Sequence, residues 1–209
     1  MIKVVIFDLD NTLFDTRSIP DSVTGNLFAA LRGANMGRDC VPAEVLDQAI
    51  EDSWFVPFPI VAAKHGLPQR LLEVWANAQQ TLRLPERLLP FSDVIETLKA
   101  IHAFKCLLTS GYQRVQWQKI EALGITQLFN LIVIDAVDAQ VHLGKEKILS
   151  DLMQSRNWKP HEMLIVGDSA SSEIVAGIQL GIPTVQILRP GVQRTETADR
   201  HIHSLTELL

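Results

Sequence analysis

The stretch Lys3-Val-Val-Ile-Phe-Asp8-Leu-Asp10-Asn-Thr12 is an apolar, β-branched run that stops abruptly at two carboxylates. A run of this length and make-up, bounded by acidic residues, reads as a strand buried on both faces. Three later runs have the same character: Lys105-Cys-Leu-Leu108, Leu131-Ile-Val-Ile134 and Met163-Leu-Ile-Val166. Helical patterns over Arg114 to Leu123, Glu146 to Arg156 and Ser172 to Leu180 separate or follow them, and Thr184-Val-Gln-Ile-Leu188 reads as a further strand. Strands alternating with helices require crossover connections, so the expected fold class is α/β with a parallel sheet. Gly124, Gly181 and Pro183 stand where those helices should stop.

The segment 15–89 breaks this rhythm. It carries helical patterns near Val23 to Arg32, Ala43 to Ser53 and Gln69 to Leu82 and little strand signal, and it reads as a helical insertion. The expected organisation is therefore a core made of 1–14 and 90–209 with a helical cap at 15–89. Pro57-Phe58-Pro59 and Gly66-Leu67-Pro68 read as punctuation between cap helices, and the region from Pro85 to Pro90 as the return hinge. Trp54, Phe55, Phe58 and Trp75 are expected to build the cap's own core, with Phe55 and Phe58 also open to a pocket-wall role.

The chain has 209 residues, 47% of them hydrophobic, and a formal charge of −5, which is enough for one good core and a small accessory domain. No basic stripe offsets the acidic balance, so no nucleic-acid partner is expected. No apolar stretch is long enough to span a bilayer, and the run at Val4 to Phe7 is too short for a signal-peptide core, so no membrane partner is expected and the cytoplasm is the expected location. Cys40 and Cys106 sit beside apolar residues and are expected to be reduced, buried thiols. The six histidines have no metal-ligand spacing.

Chemistry concentrates where strands end. Asp8 and Asp10 follow the first strand, Thr109-Ser110-Gly111 the second, and Gly167-Asp168-Ser169 the fourth, with Glu173 shortly beyond. Ligands of open α/β sheets bind beyond the carboxyl ends of strands. Taken singly, each motif also fits a turn or helix cap. Together they bring several hard oxygen donors to one edge, which suits Mg²⁺. A hydroxyl and backbone N–H groups at Thr109 and Ser110 suit an anion.

In this order, Asp8-x-Asp10-x-Thr12, Thr109, Lys145 and Gly167-Asp168 resemble the motifs of the haloacid dehalogenase-like hydrolase superfamily, over most of the chain. The resemblance implies a Rossmann-like core with a helical cap inserted after the first motif. It implies a Mg²⁺-dependent phosphatase acting on a small phosphorylated metabolite, a nucleotide or a sugar phosphate among them, through an aspartyl-phosphate on Asp8. By the same resemblance Asp10 is general acid and then base, and Thr109 and Ser110 bind the phosphoryl group. Asp8, Asp168 and the backbone carbonyl of Asp10 hold the metal, and Thr12 braces the nucleophile loop. The family lysine falls on Lys145 or Lys147; Lys145, 23 positions before Asp168 and opening a helix, is the favoured choice. Glu173 is open to two readings, as a support for Lys145 or a metal-bound water, or as an acid at a helix N-terminus.

Two positions depart from many relatives: Ser110 stands where Asn is common and Glu173 where Asp is common. Dehalogenases resemble the chain but lack the second aspartate, which is present as Asp10. Phosphomutases usually carry a histidine where the chain has Pro20, and phosphonate cleavage would need a cap lysine better placed than Lys64. The stretch Leu108-Thr-Ser-Gly-Tyr-Gln-Arg-Val-Gln-Trp-Gln-Lys-Ile120 resembles pyrimidine nucleotidases and acylneuraminate phosphatases. A catalytically silent binding protein with the same fold is the reading from another class, and the acids gathered at one edge speak against it.

Overall fold

In a computed structural model that describes residues 1–209, the chain divides into two compact units, Met1–Asp15 with Arg87–Leu209, and Thr16–Glu86. The first unit is built on six strands: β1 Val4–Phe7, β2 Phe104–Gly111, β3 Leu131–Ala136, β4 Met163–Gly167, β5 Thr184–Ile187 and β6 Arg200–Ile202. All adjacent pairs are parallel, in the order β3-β2-β1-β4-β5-β6. β1 is therefore central, and every one of its residues is buried, as its unbroken apolar run requires. Phe7 is in register with Leu107 on one side and Val166 on the other, which brings Asp8, Thr109 and Asp168 to the same edge. The strand order reverses between β1 and β4, the point at which the flanking connections part and leave a crevice.

Helices of this unit are α5 Val94–Ala100, α6 Gln113–Leu123, α7 Lys145–Arg156 and α8 Val175–Leu180. Val4, Ile6, Leu108 and Ile165 of the sheet pack with Leu149 of α7 and Ala176 of α8. Each of the valine, leucine and isoleucine side chains among them contributes about 1.5–3 kcal/mol by leaving water. Gly177 lets α8 lie against β5, because a Cβ there would run into Thr184 and come within 3.1 Å of Ile165 Cδ1.

Sequence and structure differ at three places in this unit. β6 carries no apolar pattern; it is an edge strand, held in place where Asp199 accepts hydrogen bonds from Thr184 N and Oγ1, both at 2.8 Å. The helix expected from Ser172 opens instead as a wide π-type turn, Ala170–Ile174, with Ile174 N bonded to Ser169 O at 3.3 Å, and becomes α-helical only at Val175. α5 was not expected.

The second unit is helical: α1 Asp21–Ala34, α2 Ala43–Asp52, α3 Phe58–His65 and α4 Gln69–Thr81. α3 corrects the reading of Pro57-Phe58-Pro59 as punctuation. Both prolines sit at the helix start, where an N–H has no partner to lose, and Gly66 closes the helix in the left-handed conformation (φ 62°). Phe58 is buried and stacks on Trp75 at 4.2 Å between ring centroids, while Trp54 meets Phe28 edge-on at 5.5 Å. Arg17 pairs with Glu51 at 2.8 Å and lies over the Phe55 ring, so it is held by its own unit. Cys106 is buried, but Cys40 is exposed, contrary to expectation: it lies in the polar loop before α2, whose single apolar neighbour is not enough to cover it.

Candidate active site

The chain leaves strand geometry at Asp8, whose N–H still bonds Val166 O at 3.0 Å. It then turns tightly, with Leu13 N bonded to Leu9 O at 2.9 Å and Asn11 in the left-handed region (φ 53°), a conformation that asparagine tolerates better than most residues. Leu9, Leu13 and Phe14 are fully buried and anchor the turn. This departure separates two carboxylates that continued strand geometry would have put on one side.

Asp8 is buried and accepts a 2.5 Å hydrogen bond from Lys145 Nζ, which also donates to Glu173 Oε2 at 2.8 Å. Lys145 is the first residue of α7, behind Gly144, and its side chain is only 5% exposed. Lys147, two residues on, is exposed and pairs with Asp151 at 2.5 Å. The other oxygen of Glu173 accepts Ser169 N at 2.6 Å, so both oxygens are engaged in shaping the π-type turn and holding Lys145. A Cβ on Gly167 would collide with the Glu173 side chain, which gives that glycine its reason. Thr12 Oγ1 donates to Asp168 Oδ1 at 3.3 Å, and Gln186 Nε2 donates to Asp168 O at 2.9 Å.

Asp8, Asp168 and Glu173 each bring an oxygen within 4.8 Å of the others, and all three residues are buried. Burial pushes the Asp8 carboxyl up to about 7, against the pull of Lys145 and with Glu173 and Asp10 adding repulsion. Burial, then the Glu173 and Asp8 carboxylates, hold Asp168 well above the ordinary range. Burial disfavours the Lys145 ammonium, but Asp8 and Glu173 beside it outweigh that and raise its pKa. One ammonium thus faces three acids, and hard oxygen donors left with excess negative charge are the donor set of a hard divalent cation such as Mg²⁺.

Asp10 turns to other partners. Lys119 Nζ meets its two oxygens at 2.8 and 2.9 Å, and Gln116 Nε2 reaches Oδ2 at 3.0 Å. The same Gln116 nitrogen lies 2.5 Å from Thr109 Oγ1. Ser110, expected at the phosphoryl group, has its hydroxyl committed to Asp135 at 3.0 Å. Asp135 is buried and also meets His142 at 2.9 Å and Gly144 N at 3.1 Å, tying the end of β2 to the start of α7. Asp8, Asp168, Lys145, Glu173 and Thr12 thus form one cluster, and Asp10 and Thr109 are joined through Gln116. The sequence alone does not single out Gln116, Lys119 or Asp135, because each is a polar residue whose partner lies far away in the chain; only Gly111, where a Cβ would meet the Gln116 side chain, is tied to one of them.

Comparison with known proteins extends these observations. The family model described as haloacid dehalogenase-like hydrolase matches residues 5–187. The glyceraldehyde 3-phosphate phosphatase of Methanopyrus kandleri is 28% identical over 206 residues, covering 94% of this chain and 88% of that protein. Pyrimidine 5′-nucleotidase YjjG of Escherichia coli is 29% identical over 119 residues, 56% of this chain and 51% of that protein. Among solved structures, a HAD phosphatase from Thermococcus onnurineus superposes with a TM-score of 0.66 at 21% identity, over 99% of this chain and 96% of that one.

Proposed function

Since the chain belongs to the haloacid dehalogenase-like hydrolase family, we propose that it is a Mg²⁺-dependent phosphatase that hydrolyses a small soluble phosphomonoester through an aspartyl-phosphate on Asp8. The observation that carries this reading is the buried Asp8, held by Lys145 and flanked by Asp168 at the central strand ends. The names of its relatives, which point to a three-carbon sugar phosphate and to nucleotides, support small phosphate esters as the substrate class.

In the first step an Asp8 carboxylate oxygen attacks phosphorus, the bond from phosphorus to the ester oxygen breaks, and Asp10 gives that oxygen its proton. In the second, the Asp10 carboxylate takes a proton from water, the water oxygen attacks phosphorus, and phosphate leaves as Asp8 regains its carboxylate. Lys145 keeps Asp8 oriented and partly neutralised, and Thr109 offers its hydroxyl proton to a phosphoryl oxygen. Asp8, Asp168 and the carbonyl of Asp10 would hold Mg²⁺, which when bound supplies the positive charge that offsets repulsion between carboxylate and phosphate. Asp10 favours this chemistry over dehalogenation, in which a departing halide needs no proton.

The test is turnover of a chromogenic phosphate ester and a panel of phosphorylated sugars, nucleotides and small acids, with magnesium and with chelator. Magnesium-dependent phosphate release from small esters is expected. Absence of release from every ester, or full activity in chelator, would contradict the reading.

A further inference from the structure

Resting on that reading of Asp10 and Thr109, we propose that Gln116 and Lys119 of α6 are positioning residues that hold the acid/base carboxylate and the phosphate-binding hydroxyl in one fixed relation. Both side chains lie on one face of α6, three residues apart. Val115, Ile120 and Leu123, all buried, fix that helix in its unit. Gln116 is 1% exposed and Lys119 has 12% of its side chain exposed, so neither is a solvated surface group.

The chemistry of the donors decides what the contacts do. The Gln116 amide nitrogen carries two hydrogens and no lone pair to share, so it donates both to Asp10 Oδ2 and to Thr109 Oγ1. Thr109 is the acceptor in that bond, which leaves its own hydroxyl proton directed elsewhere and free to be given to a phosphoryl oxygen. Lys119 spans both oxygens of Asp10 and its ammonium lies 5.8 Å from the centre of the buried Phe14 ring. Three donated contacts thus fix the plane of one carboxylate that is itself only a quarter exposed. Gly111, the last residue of β2, makes room for the device: a Cβ there would stand 2.8 Å from Gln116 Cδ, and its φ of 156° is a value that residues with side chains rarely adopt.

A misplaced acid/base fails most where the leaving oxygen needs a proton, and that dependence separates positioning from general loss of fold. The experiment measures kcat and KM for Gln116→Leu, Lys119→Met, Lys119→Arg and Asp10→Asn on an alkyl phosphate and on 4-nitrophenyl phosphate, with the melting temperature of each variant. Expected for Lys119→Met and Gln116→Leu is a fall in kcat of about 100-fold on the alkyl ester and of roughly fivefold or less on the nitrophenyl ester. Lys119→Arg should return most of the loss, and Lys119→Met placed on Asp10→Asn should add little further. If Asp10→Asn shows the leaving-group dependence and the α6 variants lose activity equally on both esters, or additively with Asp10→Asn, the inference is overturned while the phosphatase reading stands. If Asp10→Asn itself shows no such dependence, Asp10 is not the acid, and the inference falls together with that role of Asp10.

Discussion

Replacing Lys145 by Met keeps most of the apolar stem and removes the one cation among Asp8, Asp168 and Glu173. These side chains have almost no water to turn to: Lys145, Asp8 and Glu173 are 5%, 9% and 4% exposed. Two unit charges within 4.8 Å of each other repel by about 3.5 kcal/mol or more at an effective dielectric of about 20, and the acids form three such pairs. Protonation relieves part of this, so the expected loss is the one typical of breaking a buried ion pair, about 3–5 kcal/mol near pH 8 without divalent metal. For a chain of this size that lowers Tm by on the order of 10 °C. The sign of the pH dependence follows from the direction of the shift. The Asp8 carboxyl rises from 3.8 to about 7 on folding, so over that interval the folded protein binds more protons than the unfolded one and stability declines as pH rises. Lys145 opposes that rise, and without it the interval extends upward. The deficit of Lys145→Met is therefore expected to be largest near pH 8, to narrow toward about pH 5, and to shrink when magnesium is added. Thermal melts of both proteins in chelator at the two pH values, and in magnesium at the higher one, measure it. A deficit that widens on acidification, or a melt near pH 8 indistinguishable from the parent, would refute the reasoning.

Other perturbations give separate readouts. Asp93 meets the Arg189 guanidinium at 2.8 and 3.0 Å and accepts Ser204 Oγ and Leu205 N, while Arg189 Nε reaches Thr12 O at 3.2 Å; Asp93→Ala should cost about 3 kcal/mol in denaturant melts at neutral pH. Burial works to raise the Asp93 carboxyl, but the bonds from Arg189 and Leu205 hold it below its ordinary 3.8, so the difference from the parent should persist above that value and fade as pH falls below it. Gly167→Ala, which drives a methyl into Glu173, should lower kcat by about 100-fold by displacing Lys145; parent-like kcat would show that the Glu173 contact does not matter. Asp168→Asn should weaken magnesium activation and activity together, and an unchanged metal titration would give Asp168 another role.

The parts of the fold legible in the sequence were those whose cause is local. Buried parallel strands announce themselves as apolar runs, and β1, β2, β3, β4 and β5 all lie on the expected stretches, with β2 and β3 running further because their polar ends, Thr109 to Gly111 and Asp135, still pair in register. β6 has no such run because its place is set by hydrogen bonds from Thr184 to Asp199. α3 was hidden because Pro57 and Pro59 mark a helix start and a helix break alike, and only the following backbone decides between them. In the site, residues at strand ends could be found because parallel topology carries strand ends to one edge. Gln116 and Lys119 could not, since a polar residue in mid-helix reads as solvated until the far segment it meets, here Asp10, is in place. The hydroxyl of Ser110 was misdirected for the same reason, as Asp135 reads from the sequence as nothing more than the end of a strand.

The central claim is that Asp8 itself carries the phosphoryl group. Its most direct test is a single turnover in heavy-oxygen water with enzyme in excess over a small phosphate ester, followed by mass analysis of the Asp8 peptide and of the released phosphate. When water strikes phosphorus, the bond from phosphorus to the Asp8 oxygen breaks, that oxygen stays in the carboxylate and the heavy oxygen leaves in the phosphate; were water to strike the carboxyl carbon, the heavy oxygen would stay in Asp8, and phosphate trapped on Asp8 separates either course from direct attack of water on the ester. The mechanism given above has water attacking phosphorus, so it predicts one heavy oxygen in the released phosphate and, on rapid acid quenching with labelled ester, phosphate trapped on Asp8 in the parent and absent from Asp8→Asn. Label trapped on a serine or histidine, or an Asp8→Asn protein that turns over near the parent rate, would contradict it.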